Sequence, residues 1–382
     1  MAKGKDKAAA GKRKEKAPAP KSAPTPKRPL IVGIGASAGG LEAFKAFFHH
    51  MPADSGMAFV LVQHLDPDHH SLLAELLASH TAMPVVEAED GAQVIADHVF
   101  VIPPDATLTI EQGRLQVQTP APARSGRHPI DAFFASLAAD QGENAVCVVL
   151  SGAGSDGTLG LKKIKEHGGF ALAQEGLDHS AAGGMPASAS ATGLVDFCVP
   201  VEAMPEKLIE YQRHMHKVEK RKDKQGNRSD AADHLETITE LVRGAVGHDF
   251  SQYKENTLIR RVQRRMQVLQ VDTVPAYIER LRAEPQELRC LFDDLLIGVT
   301  QFFRDPEAWT AFERTVIPAF FEDKVAADGI RIWVPGCGSG EEAYTIAILL
   351  REAMERTHKS PTVQIFGTDI DERAIEIARA GR

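Results

Sequence analysis

Three side chains with the chemistry of acyl transfer each stand at the end of a short apolar run. Ser37 lies in GIGASAGG, His64 ends AFVLVQH, and Asp156 lies in LSGAGSDGTLG. A serine hydroxyl attacks an acyl carbon when a base removes its proton, a carboxylate orients that base, and N–H groups stabilise the oxyanion. These residues supply the hydroxyl, the base and the carboxylate, and the glycine loops supply N–H donors.

The glycine loop around Ser37 also permits a second interpretation, a cradle for a dinucleotide phosphate. Gly33, Gly35 and Ala38 match G-x-G-x-x-A, whereas residues 35–39 match G-x-S-x-G, a turn that exposes a nucleophile. The dinucleotide motif expects an acidic residue at the end of the next strand, where this sequence has glutamine and histidine. An NAD(P)-dependent dehydrogenase is therefore an alternative, but the sequence lacks the carboxylate that its cofactor site would need.

Each of the three residues also has a purely structural explanation. Ser37 is a favourable N-cap for a following helix, and Asp156 is a favourable acceptor for turn N–H groups. His64 is either packed in a core or part of HLDPDHH, whose imidazoles and carboxylates are metal ligands by type. The residues alone leave these interpretations open, including a metallohydrolase built on HLDPDHH.

Short apolar runs alternate with helical patterns between residues 30 and 201, which predicts a mostly parallel, doubly wound α/β sheet. Carboxyl ends of parallel strands gather at one edge of such a sheet, and that edge holds catalytic groups in open α/β folds. A break in this rhythm at TLTIEQGRLQVQTP predicts a hairpin turning at Gln112-Gly113. The predicted strands are LIVGIG, AFVLVQH, HVFVIPP, AVCVVLSG, GFALAQ and LVDFCVP.

Composition indicates a globular protein with about two hydrophobic cores in a reducing environment. The chain has 382 residues, 43% of them hydrophobic, and a net charge of -8. Its four cysteines form no C-x-x-C pair, which argues against a zinc ribbon or a disulfide framework. A run of about 18 apolar residues is absent, so we expect no membrane span and a cytoplasmic location.

Shifts in composition divide the chain into five parts. Residues 1–28 hold ten Lys or Arg and no apolar core, so we expect a disordered basic tail. The α/β domain covers 29–201, and 202–235 is a charged, partly helical linker. Helical patterns follow over 236–325, and a strand, a glycine loop and a helix reappear over 326–382.

Eight blocks of the first domain occur in the order typical of the chemotaxis-type protein-glutamate methylesterase catalytic domain, which this region resembles over about residues 29–215. The blocks are IGASAGGLEAF, VQHLDPDH, EAEDG, VFVIPPD, HPIDAFFASLA, LSGAGSDGTLG, AQ and GMPASA. The resemblance implies hydrolysis of glutamate methyl esters on receptor helices, often with glutamine deamidation, and without metal or cofactor.

By this resemblance Ser37 is the nucleophile, His64 the general base and Asp156 the carboxylate that orients it. Ala38 and Ala153 stand where the family often has threonine and methionine, which bears on oxyanion contacts and rate. Such esterases commonly carry a receiver domain, whereas this sequence starts with the basic tail. A separate phosphoacceptor receiver protein would then supply that regulation.

A second glycine loop, residues 336–340, follows the apolar run IRIWV and opens a helix. Gly336 and Gly338 permit close approach of a ligand to the backbone, and Asp369 at the end of the next strand can bind ribose hydroxyls. The pattern indicates a nucleotide-type site, although a tight turn that packs a helix on a sheet has the same glycines.

Four blocks in this half resemble the chemotaxis-type protein-glutamate O-methyltransferase, which uses S-adenosylmethionine, over about residues 237–382. They are HDFSQYKENTLIRRVQRRMQVLQ, LLIGVTQFFRDPEAW, PGCGSGEEAYTIA and GTDIDERAIEIAR. The resemblance makes Thr300, Arg304, Glu341 and Asp369 donor contacts, while Gly298 stands where the family often has asparagine.

Four arginines of the same half, Arg260, Arg261, Arg264 and Arg265, fall on one face of a helix at i, i+4 spacing. In the family a similar basic helix docks on acidic receptor helices, and a solvated face or a nucleic-acid contact is the general alternative. We expect receptor binding here rather than nucleic acid.

The second domain is expected to be incomplete, because its sheet would need more strands after TVQIFGTDID. We therefore expect no methyl transfer from this chain and an unsatisfied sheet edge beside QIFGTD. The sequence as a whole predicts an esterase fused to a truncated Rossmann-like methyltransferase start, with opposing activities in receptor adaptation. An inactive esterase domain that only binds receptor helices is the other alternative.

Overall fold

The computed structural model describes residues 29–63, 72–118, 128–175, 184–222, 228–298, 300–321 and 329–381. The predicted basic tail, His64 and the rest of HLDPDHH lie outside the described residues. Predictions on those residues stay predictions.

The first domain is built on a sheet of seven parallel strands in the order β3-β4-β2-β1-β7-β8-β9. The predicted α/β class is therefore confirmed, and each of the six predicted strands is present. The short edge strand β3 was not predicted. The strands are β1 (Leu30–Ala36), β2 (Met57–Gln63), β3 (Val85–Glu87), β4 (Val99–Val101), β7 (Val146–Val149), β8 (Phe170–Gln174) and β9 (Phe197–Val199).

Helices cover both faces of this sheet, because its central strands are buried along their whole length and present apolar side chains on each side. One face packs against phenylalanines of α1 (Gly40–His50), with α2 (Leu73–Ala78) beside it. The other face packs against α3 (Pro129–Gln141), α4 (Thr158–Glu166) and α5 (Gly184–Ala191).

A two-stranded antiparallel hairpin, β5 (Thr107–Glu111) and β6 (Arg114–Gln118), leaves the sheet where the sequence predicted it. Its turn residues Gln112 and Gly113 have φ of 53° and 73°. Two successive residues with positive φ make the turn whose twist matches that of the strands. The predicted hairpin is thus confirmed.

The first half of the predicted linker is part of the first domain. Residues Met204–Lys222 form one helix, α6, and Met204, Leu208 and Tyr211 on it are buried in the same core as α1. The linker prediction rested on charge density, which does not reveal that one face of this helix carries the apolar side chains.

The helical region that follows has its own core of buried Ile, Val, Leu and aromatic side chains, among them Phe250 and Tyr277. Arg264 and Arg265 also lie inside it rather than at its surface. The helices are α7 (Arg228–Asp233), α8 (Leu235–Val246), α9 (Glu255–Val268), α10 (Val274–Ala283) and α11 (Pro285–Leu295).

The last described region contains a parallel pair of strands, β10 (Ile330–Pro335) and β11 (Val363–Thr368). Trp333 and Phe366 on these strands are 68% and 51% exposed. Four helices accompany the strands, namely α12 (Pro306–Thr315), α13 (Ile317–Phe320), α14 (Glu341–Thr357) and α15 (Glu372–Ala380). Among the described residues, none of the helices combines the length and the apolar character needed to cross a bilayer.

Candidate functional site

The loops that carry the predicted catalytic residues leave three neighbouring strands at one edge of the sheet. Strand β1 lies between β2 and β7, with Ala36 paired to Gln63 and Gly35 paired to Val149. Ser37 is the next residue after β1, and the Asp156 loop follows β7. His64 is the residue after β2 and lies outside the described residues.

Backbone hydrogen bonds fix Ser37 between these strands. Its N–H donates to the carbonyl of Ser151 at 2.9 Å, and its carbonyl accepts from Gly40 N–H at 2.9 Å. The side-chain amide of Gln63 donates to the same carbonyl at 3.4 Å. The peptide units on both sides of the serine are therefore held by the flanking loops.

The side chain of Ser37 does not cap helix α1. The N-cap of that helix is Gly39, with φ of 81°, and it has no side-chain capping bond. The N-cap explanation of Ser37 is therefore wrong, because the turn places a glycine at the cap position. Ser37 itself is half-buried.

The loop of Asp156 lies directly against Ser37. A Cβ added to Gly152 would stand 2.9 Å from the Cβ of Ser37 and 2.2 Å from the Sδ of Met185. Since such distances are too short for real side chains, glycine at this position permits the approach of the two loops. The sequence identified this loop as glycine-rich but could not show which glycine makes that contact.

The carboxylate of Asp156 is 4% exposed and accepts three backbone hydrogen bonds. Its donors are the N–H groups of Ile130 at 3.1 Å, Asp131 at 3.0 Å and Gly157 at 2.8 Å. Two of these donors belong to the first turn of α3, where helix N–H groups lack partners of their own and favour an anion. Asp156 thus accepts from its own turn, as the structural explanation expected, and also from a second element.

Two further titratable residues lie beside Asp156 and were missed by the sequence interpretation. The Nδ1 of His128 is 3.8 Å from its Oδ1, and Asp131 lies in the same cluster, with ligand-type atoms of all three within 4.8 Å. Burial raises the pKa of Asp131 to about 6, and the charge of Asp156 adds to the shift. The only sequence signal was HPID, with proline at a helix start.

The two glycines that suggested a dinucleotide motif serve packing instead. A Cβ at Gly35 would stand 2.4 Å from Cγ2 of Ile130, and one at Gly33 would stand 2.9 Å from a ring carbon of Phe133. Helix α3 therefore covers the backbone of β1 at both positions. A pyrophosphate cannot approach there, and the dehydrogenase alternative loses its main support.

The second glycine loop has the backbone geometry of a ligand cradle. Gly336, Gly338 and Gly340 have φ of 67°, 54° and 98°. The N–H of Gly338 donates to the Oδ2 of Asp369 at 2.7 Å, and Oδ1 of Asp369 accepts from Asp371 N–H at 2.8 Å. The predicted acidic residue is thus held beside the loop by backbone donors.

Several predicted donor contacts gather around this loop. A Cβ at Gly338 would stand 3.4 Å from Cγ2 of Thr300, and the carboxylate of Glu341 accepts from Ser339 Oγ at 2.7 Å. Glu341 and Ser339 line an open cavity of about 620 Å³. Arg304 is exposed.

A lysine of the first domain reaches this second loop. The Nζ of Lys162, on α4, donates to Ser339 Oγ at 3.1 Å and lies 3.9 Å from the carboxylate of Glu341.

The second loop fits a donor with ribose hydroxyls and a cationic sulfur. The features that fit are the glycine geometry, the carboxylates of Glu341 and Asp369 and the adjoining cavity.

The predicted basic surface stripe on α9 is wrong for three of its four arginines. Arg261, Arg264 and Arg265 are 3%, 4% and 7% exposed, whereas Arg260 is exposed. The stripe prediction counted charges along one helix, and the carboxylates that neutralise them come from distant parts of the chain.

Arg264 joins the first domain to the helical region. It donates to Asp196 at 2.6 Å, to the carboxylate of Asp294 and to the carbonyl of Gly169 at 3.3 Å. Burial alone would raise the pKa of Asp196, but Arg264 and Lys165 outweigh it and lower that pKa to about 2. Burial and the charge of Arg264 in turn lower the pKa of Lys165 to about 8.

The other two buried arginines are also bound. Arg261 donates to the carbonyl of Lys165 at 3.1 Å, and Arg265 pairs with Glu287 at 2.9 and 2.5 Å. The face of α9 that carries these side chains is therefore turned toward α11 and the first domain rather than toward solvent.

Three segments of the chain match models of known families. Residues 32–208 match the family model of the CheB methylesterase. The first domain is a CheB methylesterase domain. Residues 233–296 match the all-alpha domain of the CheR methyltransferase, and 298–382 match its SAM-binding domain. The resemblances found in the sequence are thus confirmed at the level of both families.

This chain spans about a third to a half of the length of the curated relatives it matches. An uncharacterised 104.1 kDa protein of Rhodobacter capsulatus is 38% identical over 328 residues, which is 81% of this chain and 34% of that protein. A protein-glutamate methylesterase/protein-glutamine glutaminase of Xanthomonas campestris pv. campestris is 37% identical over 47% of this chain and 51% of its own length.

A solved structure also matches the CheB domain. The crystal structure of the Thermotoga maritima CheB methylesterase catalytic domain is 32% identical, with a TM-score of 0.43. The match covers 47% of this chain and 97% of that structure.

Proposed function

We propose that the CheB domain hydrolyses glutamate methyl esters on chemotaxis-type receptor helices, with Ser37, His64 and Asp156 as its catalytic triad. The observation that carries the proposal is the placement of Ser37 against the loop of Asp156, at the edge where β2 leads into His64. A buried carboxylate held by three N–H groups has the environment of an orienting group rather than of a proton donor.

In this proposal His64 takes the proton of the Ser37 hydroxyl as its oxygen attacks the ester carbon. The oxyanion is stabilised by backbone N–H groups of the two glycine loops. The C–O bond to the methoxy group then breaks, and the proton passes from His64 to the leaving methoxide, which departs as methanol. Water attacks the acyl-enzyme by the same route and restores Ser37. A glutamine side chain would lose ammonia in the same sequence.

The CheR part is proposed to hold S-adenosylmethionine at Gly336, Gly338, Glu341 and Asp369, with Thr300 and Arg304 as further contacts. When bound, the donor supplies a methyl group activated by its sulfonium. Asp369 would accept from the ribose hydroxyls, and so would Glu341, for whose carboxylate the hydroxyls would compete with the Ser339 donor. That this chain transfers no methyl group stays a prediction.

The two parts would act in opposition on the same receptor glutamates and so set adaptation. Methyl-accepting receptor helices are the proposed partner, and a separate receiver protein is the proposed source of phosphorylation control. A cytoplasmic location belongs to the same proposal. Because three arginines of α9 are buried, receptor contact would need surfaces other than that basic face.

Methanol release from methylated receptor tests the esterase proposal. The full chain should release methanol, and Ser37→Ala should reduce the rate to the uncatalysed background. Ser79→Ala is a matched control, because Ser79 is exposed at the end of α2 and its hydroxyl donates to the nearby carbonyl of Leu76. Equal release by wild type and Ser37→Ala would overturn the proposal. Receptor binding without methanol release would instead support an inactive binding module.

A further inference from the structure

Helices α3 and α4 of the CheB domain cap one another through two aspartates. Asp156 lies just before α4, and its carboxylate accepts from the first-turn N–H groups of α3, those of Ile130 and Asp131. In the reverse direction, Oδ1 of Asp131 accepts from the N–H of Gly160 in the first turn of α4 at 2.7 Å. Each helix therefore supplies the N-terminal acceptor of the other.

Close packing at two glycines of α4 and its preceding turn makes this exchange possible. A Cβ on Gly160 would stand 2.6 Å from Cβ of Phe134 and 2.9 Å from the carbonyl oxygen of Asp131. A Cβ on Gly157, with φ of 88°, would stand 2.9 Å from Ile130. The two glycines bring the helix N-termini together, so the aspartate pair fixes the turn that carries Asp156.

The titratable groups around Asp131 also link it to Asp156. Asp131 is half-buried, and the groups that face it are Asp156 and His128, together with the N–H of Gly160. Two carboxylates this close repel when both are ionised, and the N–H donors at the two helix ends offset that repulsion. Loss of the Gly160 bond would thus free the turn of Asp156 at the side where Ser37 lies.

We propose that Asp131 is a positioning residue of the esterase reaction, which holds Asp156 in its catalytic orientation by accepting the Gly160 N–H. This inference rests on the proposed function of the CheB domain. Asp131 acts through Asp156 and does not touch the substrate. A displacement of about 1 Å in a catalytic group can lower the rate by roughly 100-fold, so the capping bond has a kinetic consequence.

Two substitutions of Asp131 separate positioning from simple stability. Asp131→Ala removes the acceptor, and we expect kcat for methanol release to fall about 10- to 100-fold with KM within about threefold. Asp131→Asn keeps an oxygen for the Gly160 N–H, and we expect it to restore kcat to within about fivefold of wild type. Assays are run at a temperature where all variants remain folded by circular dichroism.

Asp140 offers a matched control on the same helix. It is half-buried like Asp131 and also accepts one backbone N–H from another segment, that of Gly113 at 3.0 Å, but at the far end of α3. Asp140→Ala should lower stability while leaving kcat within about twofold of wild type. A positioning role predicts this difference between two aspartates of one helix that each accept a backbone N–H from another segment.

Hydrogen exchange at the Gly160 amide provides a readout independent of activity. Exchange should speed up at least about tenfold in Asp131→Ala and stay near wild type in Asp131→Asn. Unchanged kcat in a folded Asp131→Ala, with Ser37→Ala inactive, would overturn this inference alone. A wild-type chain without esterase activity would overturn it together with the proposed function.

Discussion

Two glycine loops of this molecule have the same local design and different surroundings. Each follows a parallel strand and opens a helix at a left-handed glycine, Gly39 at 81° and Gly340 at 98°, with no side-chain cap. The first loop lies in a seven-stranded sheet whose neighbouring strands are buried. The second lies on two strands with exposed positions along both. The loop alone therefore does not decide the chemistry.

The segments that pack beside each loop distinguish the two sites. In the CheB domain, α3 covers the glycines of β1, and the Asp156 loop comes within contact of Ser37. In the CheR region, the acidic residue after the next strand accepts from Gly338, and an open cavity lies beside Glu341. The glycines of the proposed nucleophile turn are thus covered by a helix, whereas the proposed donor loop lies beside an open cavity.

The largest expected effect concerns the carboxylate beside the first loop. Asp156→Asn keeps the size of the side chain but loses the charge that three N–H groups and the proposed base require. We expect kcat for methanol release to fall about 1,000- to 10,000-fold. Asp140→Asn serves as control on α3. A loss of less than tenfold would show that the first loop does not depend on a neighbouring carboxylate.

The next effect concerns the contact between the two halves. Arg264→Ala leaves Asp196 and Asp294 buried without their shared cation, and we expect a loss of about 3–5 kcal/mol in the free energy of unfolding. Urea denaturation measures it. Arg260→Ala is the matched control, because Arg260 is the exposed member of the same stripe. Equal stability of both variants would contradict the burial of α9 against the CheB domain.

A pair of glycine substitutions compares the loops directly. Gly35→Ala forces a methyl group against Ile130 in a covered backbone, and we expect a cost of about 1–3 kcal/mol from overpacking. Gly336→Ala meets no atom within 4 Å and bears only the strain of its positive φ, about 1–2 kcal/mol. Relief should follow Ile130→Ala, which removes the Cγ2 that the new methyl group would meet, in the first variant only. If stability is recovered in neither variant, packing does not distinguish the two loops.

The smallest effect is a pH dependence of stability from Asp131. Because burial raises its pKa from 3.8 to about 6, its contribution to stability is complete below pH 3.8 and is lost as the pH rises through 6. Asp156 and His128 are the charged groups that face it. Asp131→Asn should therefore gain stability relative to wild type between pH 4 and 7 in urea denaturation. A constant difference across that range would contradict the shift.

The sheet was predictable because its strands are continuous apolar runs between turn residues, and such runs have few other uses in a soluble chain. The hairpin was predictable from Gln112-Gly113, since its turn needs residues that accept positive φ. Strand β3 was missed because three residues carry no periodic signal. The packing of α6 on the first domain was not predicted, because its density of charge conceals an apolar face.

The site was predictable only in part. The edge of the sheet that gathers Ser37 and the Asp156 loop follows from strand ends, but the partners of Asp156 come from α3, which no local pattern ties to that loop. The arginines of α9 were misread for the same reason. Glu287 and Asp294 become neighbours of these arginines when α11 packs on α9, and Asp196 does so when the helical region packs on the CheB domain.

Mass spectrometry of the chain after reaction with a fluorophosphonate ester tests the central claim most directly. Such a probe bonds covalently to an activated serine with loss of fluoride, so it reports the nucleophile without the receptor. The account predicts one adduct, on Ser37, that abolishes methanol release and that fails to form in Asp156→Asn. An adduct on another serine would contradict it. So would a chain that carries no adduct on Ser37 after complete reaction with the probe and still releases methanol at the full rate.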